Sequence, residues 1–210
     1  MSSIDKSDET ILNLKVIPFH GAELTDVLRA QLITANQAEF AWSAAMSEAD
    51  FANEHAEYYV MVRGLDELVA YVSLHHILDE ATINTVYVTP DWRQYGLGTR
   101  LLAFVLEQLE ARAILNLFLE VRAGNTAARA LYTGAGFDEL VVRRGYYHAP
   151  TDDAIIMQKQ LVRGTSAAGG GEAGTPPAIA STIENSTVPS ETDKTKNQER
   201  GADDESDSSH

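Results

Sequence analysis

The stretch DWRQYGLGTRLL, residues 91–102, places two glycines two residues apart, an arginine on either side of them, and an apolar run directly after. The chemistry that such a junction suits is anion binding. The first N–H groups of a helix lack internal partners and carry the positive end of its dipole, and glycine lets an anion reach them without meeting a side chain. Phosphate is the natural ligand. Two well-known phosphate loops are excluded by the residues present: the nucleoside-triphosphate loop requires Gly-Lys-Ser/Thr, and the dinucleotide fingerprint requires a third glycine or alanine where Leu101 stands. What remains, Arg93-x-x-Gly96-x-Gly98, also suits an ordinary surface turn that starts a helix.

Two further side chains offer proton chemistry. Glu120 falls near the C-terminal end of the run ILNLFLEV, residues 114–121, and open sheets commonly keep their ligand crevice at that end of a strand. A carboxylate held among apolar groups is disfavoured as an anion and becomes a better base near neutral pH. A plain same-face pair of Glu120 with Arg122 would explain the same residues. Tyr132 lies in NTAARALYTGAGF, residues 125–137, where a packing aromatic is the default reading. Its hydroxyl is nevertheless within reach of proton exchange with a thiolate, since the reference values are about 10 for tyrosine and about 8.5 for a thiol.

The elements that must position these groups follow from periodicity. ATINTVYV ahead of the glycines is rich in β-branched residues and reads as a strand, and Leu101, Leu102, Val105, Leu106 and Leu109 after them mark one face of a helix over 97–112. In ILNLFLEV, alternation puts Leu115, Leu117, Leu119 and Val121 on one face and Asn116, Phe118, Glu120 and Arg122 on the other. Asn125 predicts the cap of a second helix that stops at Gly134 or Gly136. Upstream, ILNLKVIPF reads as a first strand, ELTDVLRAQLITANQ and AWSAAMSEADFANE as helices, and EYYVMVRG, ELVAYVSLHHI and ATINTVYVT as an antiparallel meander. FDELVVRRGYY and DAIIMQKQL add two strands. The segment 82–122 is long enough for a right-handed parallel crossover. The fold class is α+β (α/β), a mixed sheet with helices against it.

Composition narrows the function classes. The 210-residue chain predicts one domain over 1–162 and a disordered acidic tail over 163–210, because from Gly164 onward it has no Phe, Trp or Tyr and cannot offset its ordering entropy. Residues 163–210 hold nine acidic and four basic side chains, so −10 of the formal −15 remains in the domain. Such a domain is a poor generic binder of nucleic-acid phosphates and attracts basic peptides, although a solvated acidic surface accounts for most of the charge. With no cysteine, disulfides, thiolate metal sites and a cysteine nucleophile are all excluded. Histidines at 20, 55, 75, 76, 148 and 210 lack ligand spacing, so no metal is expected. Neither a membrane span nor a leader is evident, and the expected location is the cytoplasm.

Taken together and in order, the loop Arg93–Gly98 after a strand, LEVRAGNTAARALYTGAGF, RRGYY and DAIIM closely resemble the GNAT acetyltransferases, and within them the RimI branch of ribosomal-protein-alanine N-acetyltransferases. The likeness spans roughly residues 10–161. It implies a central, mostly antiparallel sheet with a splayed parallel strand pair, and acetyl-CoA as cosubstrate. By resemblance, Val86, Tyr87 and Val88 hold the pantetheine arm and acetyl carbonyl. Gln94, Tyr95, Gly96, Leu97, Gly98 and Thr99 cradle the pyrophosphate, and Asn125 adds a cofactor contact. Glu120 becomes the general base and Tyr132 the general acid, with one thioester between them and both expected on the same side of the sheet.

The acceptor implied is the N-terminal alanine of small-subunit ribosomal protein S18, a basic partner, with direct transfer in a ternary complex. Other protein N-termini, a small-molecule amine, or a non-catalytic acetyl-CoA-binding module are the alternatives; neither membrane nor nucleic acid is an expected partner. Trp42, Tyr146 and Tyr147 match the peptide-side walls, where Ala41 replaces the usual proline and the loop after Gly145 is shorter.

Overall fold

In a computed structural model, residues 11–161 are described, apart from residues 12 and 149; the expected tail and its boundary lie outside the described residues. In chain order the elements are β1 (Lys15–His20), α1 (Asp26–Phe40), α2 (Ala44–Phe51), β2 (Ala56–Arg63), β3 (Glu67–Ile77), β4 (Glu80–Val88), α3 (Leu97–Ala111), β5 (Asn116–Arg122), α4 (Thr126–Gly134), β6 (Asp138–His148) and β7 (Thr151–Gln160). The strands form one sheet in the order β1-β2-β3-β4-β5-β7-β6. Every neighbouring pair is antiparallel except β4 and β5, the two strands joined through α3. The meander and the parallel crossover are therefore as expected. The first strand begins later than its alternation predicts, at Lys15, because the Leu14 N–H donates to the Ile11 carbonyl and closes a turn there.

Alternation in β2 explains why it is buried almost throughout. Tyr59 and Met61 face one core with α3 and α4, while Tyr58, Val60 and Val62 face a second core with α1 and α2. On the first face, Leu97, Leu101, Leu102, Val105, Leu106 and Leu109 of α3 are buried, each burial contributing roughly 1.5–3 kcal/mol. The second core draws its buried strand residues from β2, β3 and β4, with Ile17 and Phe19 of β1 packed against it, and none from β5, β6 or β7. On that side β5, β7 and β6 continue the sheet as a shelf beyond the two helices.

Candidate active site

The parallel pairing of β4 and β5 is short. It runs from Glu80↔Asn116 to Ile83↔Leu119 and then stops. In the ladder with β3, Leu74 pairs with Ile83 but Ser73 pairs with Thr85, so Asn84 is an extra residue in a bulge that bends β4 at the next step. β5 meanwhile stays with β7 as far as Arg122↔Ala154. The two strands thus diverge into a wedge. Along it, the β5-facing edge of Thr85–Val88 has no strand partner among the described residues, and Val86 and Val88 pack toward the first core while Tyr87 is buried in the second. Backbone polar groups left in such a wedge need a partner from elsewhere.

The glycine junction follows directly. Gln94 and Gly96 have φ of +68° and +71°, and Gly96 is the N-cap of α3. Elsewhere Thr25 caps α1, Ser43 caps α2 and Asn125 caps α4, each accepting a hydrogen bond from a first-turn N–H at 3.1–3.3 Å. Among the described residues no side chain caps α3, whose first backbone bond is Arg100 N–H to the Gly96 carbonyl at 3.0 Å. A Cβ added at Gly98 would make ordinary contacts at 3.7 Å with Leu131 and Val88, so the fold itself does not demand glycine there. Arg93, part of the sequence motif, is spent on the scaffold. Its Nε donates to the Val88 carbonyl at 3.0 Å and its guanidinium pairs with Glu39 of α1 at 2.6 Å, tying the loop to β4 and α1. Pro90, Asp91, Arg93, Gln94 and Tyr95 line an open cleft of about 620 Å³ beside it.

Glu120 is the first residue of β5 beyond its last pair with β4, at the throat of the wedge. Its side chain, 16% exposed, looks onto the shelf, opposite to Leu119 and Val121. The pair with Arg122 is not made. Instead, the Tyr147 hydroxyl donates to Glu120 Oε1 at 2.8 Å, while Arg122 stacks over the Tyr147 ring at 3.8 Å and donates to the Pro150 carbonyl. Burial, then the hydrogen bond and charge of Glu120, hold the Tyr147 phenol above its ordinary range, so it remains a donor. Glu120 Oε2 is buried without a hydrogen-bond partner, and the Arg143 guanidinium lies 3.7 Å from it, near enough to balance charge but too far to donate. One carboxylate oxygen is fixed and the other makes no hydrogen bond to the described residues.

Tyr132 lies on the other face. It belongs to the first core, its ring edge-on to Phe137 at 5.9 Å, and burial alone pushes its phenol up to about 12. Glu120 and Tyr132 therefore stand on opposite sides of the sheet, contrary to the expectation that both share one side, because Tyr132 packs with Leu119 and Val121 and Glu120 alternates away from them. The wedge where β4 and β5 part begins beside Glu120. Gly98, Val88 and Leu131 converge there, which brings the start of α3, the end of β4 and the helix carrying Tyr132 to one place. Asn125 opens that helix as its cap, its Oδ1 taken by the Ala128 N–H at 3.1 Å.

On the shelf side, Tyr146 and Tyr147 form an edge-to-face pair at 5.1 Å and are half-buried, with Gly145 at φ +62° and its N–H bound by Asp153 at 2.7 Å. Trp42 is half-buried between α1 and α2. The preceding Ala41 has φ +55°, which a proline ring forbids, so the departure from the family pattern goes with a different backbone. Sequence reading missed Arg143 and Glu39, and it missed the Asp50 carboxylate that binds His75 at 2.6 Å and the Tyr58 hydroxyl. The signal for Arg143 was weak: it sits in RRGYY, whose tyrosines alone drew attention.

Comparison with known proteins agrees with this geometry. The profile of the Acetyltransferase (GNAT) family matches residues 23–137. The [ribosomal protein bS18]-alanine N-acetyltransferase of Escherichia coli K12 is 40% identical over 141 residues, covering 64% of this chain and 91% of that protein. The crystal structure of the Escherichia coli ribosomal-protein-S18-alanine N-acetyltransferase superposes with a TM-score of 0.63 at 33% identity, covering 76% of this chain and 99% of the other. Arabidopsis thaliana NAA60, solved with acetyl-CoA, shares the fold at a TM-score of 0.59 and 15% identity, over 70% of this chain and 98% of its own. With an unpaired wedge between its parallel strands, an uncapped helix start beside it and a match across more than half its length, this chain belongs to the GNAT family of acetyltransferases.

Proposed function

We propose that this acetyltransferase passes the acetyl group of acetyl-CoA directly to the α-amine of a protein N-terminus, its principal acceptor being the N-terminal alanine of ribosomal protein bS18. The observation that carries the reading is the free oxygen of Glu120 at the throat of the wedge. Bound acetyl-CoA supplies an acetyl group activated as a thioester. The first-turn N–H groups of Leu97, Gly98 and Thr99, with the loop Gln94–Gly96, suit its pyrophosphate, and the unpaired edge at Val86–Val88 suits its pantetheine arm and acetyl carbonyl. Asn125 adds a cofactor contact in this reading.

Glu120 Oε2 takes the proton of the incoming amine, directly or through water. An N-terminal α-amine at about 7.7–8 gives it up with less driving force than a lysine at about 10.4. Tyr132 delivers its hydroxyl proton to the sulfur as the carbon–sulfur bond breaks and the carbon–nitrogen bond forms. In this reading Trp42, Tyr146 and Tyr147 serve as walls for the peptide, and the acidic domain favours a basic one.

Gly98→Ala separates ligand binding from folding. Alanine is better than glycine inside a helix by roughly 1 kcal/mol, and its Cβ fits, so the melting temperature is expected to hold or rise. The KM for acetyl-CoA is expected to rise at least about tenfold, because the methyl group occupies the anion's approach. Equal KM values would remove Gly98 from the cradle. The acceptor is tested by offering Ala-, Ser- and Met-starting peptides, the bS18 N-terminal peptide and free polyamines, with products identified by mass spectrometry. Acetylation of the bS18 peptide ahead of the others is expected, and preference for a polyamine rejects the proposal.

A further inference from the structure

The turn between α1 and α2 carries Trp42, and Asn36 holds it through both its main chain and its side chain. Asn36 is 2% exposed and lies near the end of α1. Its carbonyl accepts the N–H groups of Ala41 and of Trp42, the second at 3.3 Å. These bonds end the helix. Ala41 takes φ +55° there, a left-handed conformation that a residue other than glycine keeps where its surroundings impose it.

The side chain of Asn36 joins three other elements. The Tyr71 hydroxyl of β3 donates to Asn36 Oδ1, and Asn36 Nδ2 donates to Ser47 Oγ of α2 at 3.0 Å. Tyr71 is in turn hydrogen-bonded to the Thr85 side chain of β4, just past the bulge where β4 leaves β5. All four side chains are buried. Polar groups taken out of water cost stability unless each is paired, so such a chain is satisfied in one arrangement, and moving any member leaves its neighbours unpaired.

We propose that Asn36 is a positioning residue for the acceptor. The chain Thr85–Tyr71–Asn36–Ser47 sets the α1–α2 turn, and with it Trp42, at a fixed place relative to the edge of β4 that receives acetyl-CoA. The inference rests on the reading of Trp42 as an acceptor wall. Asn36 touches neither reactant and acts through the main chain of Ala41 and Trp42. Two further ties reach the end of α1: Glu39 pairs with Arg93 at 2.6 Å, and Phe40 stands edge-on to Tyr87 at 6.3 Å. Both start from exposed residues of the helix, and an exposed ion pair contributes little. The buried chain is the stronger constraint.

Tyr71→Phe removes one hydroxyl and keeps the ring in place, so it tests the chain at the least risk to folding; Asn36→Ala removes its centre. The sequence has two tryptophans, and Trp92 is 1% exposed, so acrylamide quenching of the intrinsic fluorescence reports on Trp42, with Trp42→Phe as the baseline. Both variants are expected to raise the quenching constant of Trp42 by about twofold or more, as the turn is released from the sheet. The KM for the bS18 N-terminal peptide is expected to rise at least about tenfold, while kcat and the KM for acetyl-CoA stay within about twofold. Because the two residues act as one chain, the double variant should raise the peptide KM no further than Asn36→Ala alone. Trp42→Ala is the reference for the wall. Unchanged quenching in both variants overturns the proposal, as does a peptide KM that stays put where Trp42→Ala raises it, or a loss that falls on kcat and acetyl-CoA alike. A peptide KM indifferent to Trp42→Ala instead removes Trp42 from the wall, and quenching then decides alone whether Asn36 holds the turn.

Discussion

Replacing Glu120 by glutamine is expected to slow acetyl transfer by 10² or more while leaving the affinity for acetyl-CoA within about twofold. The substitution keeps the shape of the side chain. Its carbonyl oxygen still accepts from Tyr147, and the half-exposed Arg143 guanidinium is not stranded in an apolar interior. What is lost is the free oxygen that receives the amine's proton. Thiol release from acetyl-CoA, followed at saturating peptide, separates the cases. A fall in kcat with unchanged binding of acetyl-CoA is the expected result, and unchanged turnover would take Glu120 out of the mechanism.

Tyr132→Phe is the second large effect, with an expected fall in kcat of roughly 10–100-fold, in the range for losing a positioned proton donor. A phenol at about 12 stands well above a thiol whose reference value is about 8.5, a gap that opposes the transfer. The cause of the shift narrows it. Burial raises Tyr132 because it disfavours the phenolate, and a sulfur brought into the same surroundings is raised in the same sense. Because the phenol stays protonated well beyond neutrality, the variant should lose activity by a similar factor between about pH 6 and 10, with the shape of the pH–rate profile unchanged. A loss confined to alkaline pH would assign the proton to another group.

Much of this arrangement was legible in the sequence, and the residues tell why. The five apolar residues of α3 fix its buried face through local spacing, and the alternation in β5 sets Glu120 apart from Leu119 and Val121, because both signals are properties of one element. The capping of α4 by Asn125 is equally local. The surroundings of Glu120 are not. Its bond to Tyr147 spans 27 residues and depends on a bulge in β6 and on β7 lying between β5 and β6, neither of which any short pattern encodes. The expected partner Arg122 was the nearest in sequence, whereas the sheet brought Arg143. Likewise, the placement of Glu120 and Tyr132 on opposite faces follows from the alternation in β5 and the packing of α4 on the first core, which become one geometry only when strand and helix are assembled.

In the proposed reading, the parting of β4 and β5 after Ile83 and Leu119 gives the two reactants separate doorways. In the proposed mechanism the donor's doorway is framed by main chain and by the helices α3 and α4, and the acceptor's by side chains on the far side of the sheet. Retargeting such a catalyst to a new amine then calls for changes around Trp42, Tyr146 and Tyr147 alone, with the donor half inherited intact. A lineage of these proteins can thus diversify its clients without relearning how to hold its fuel.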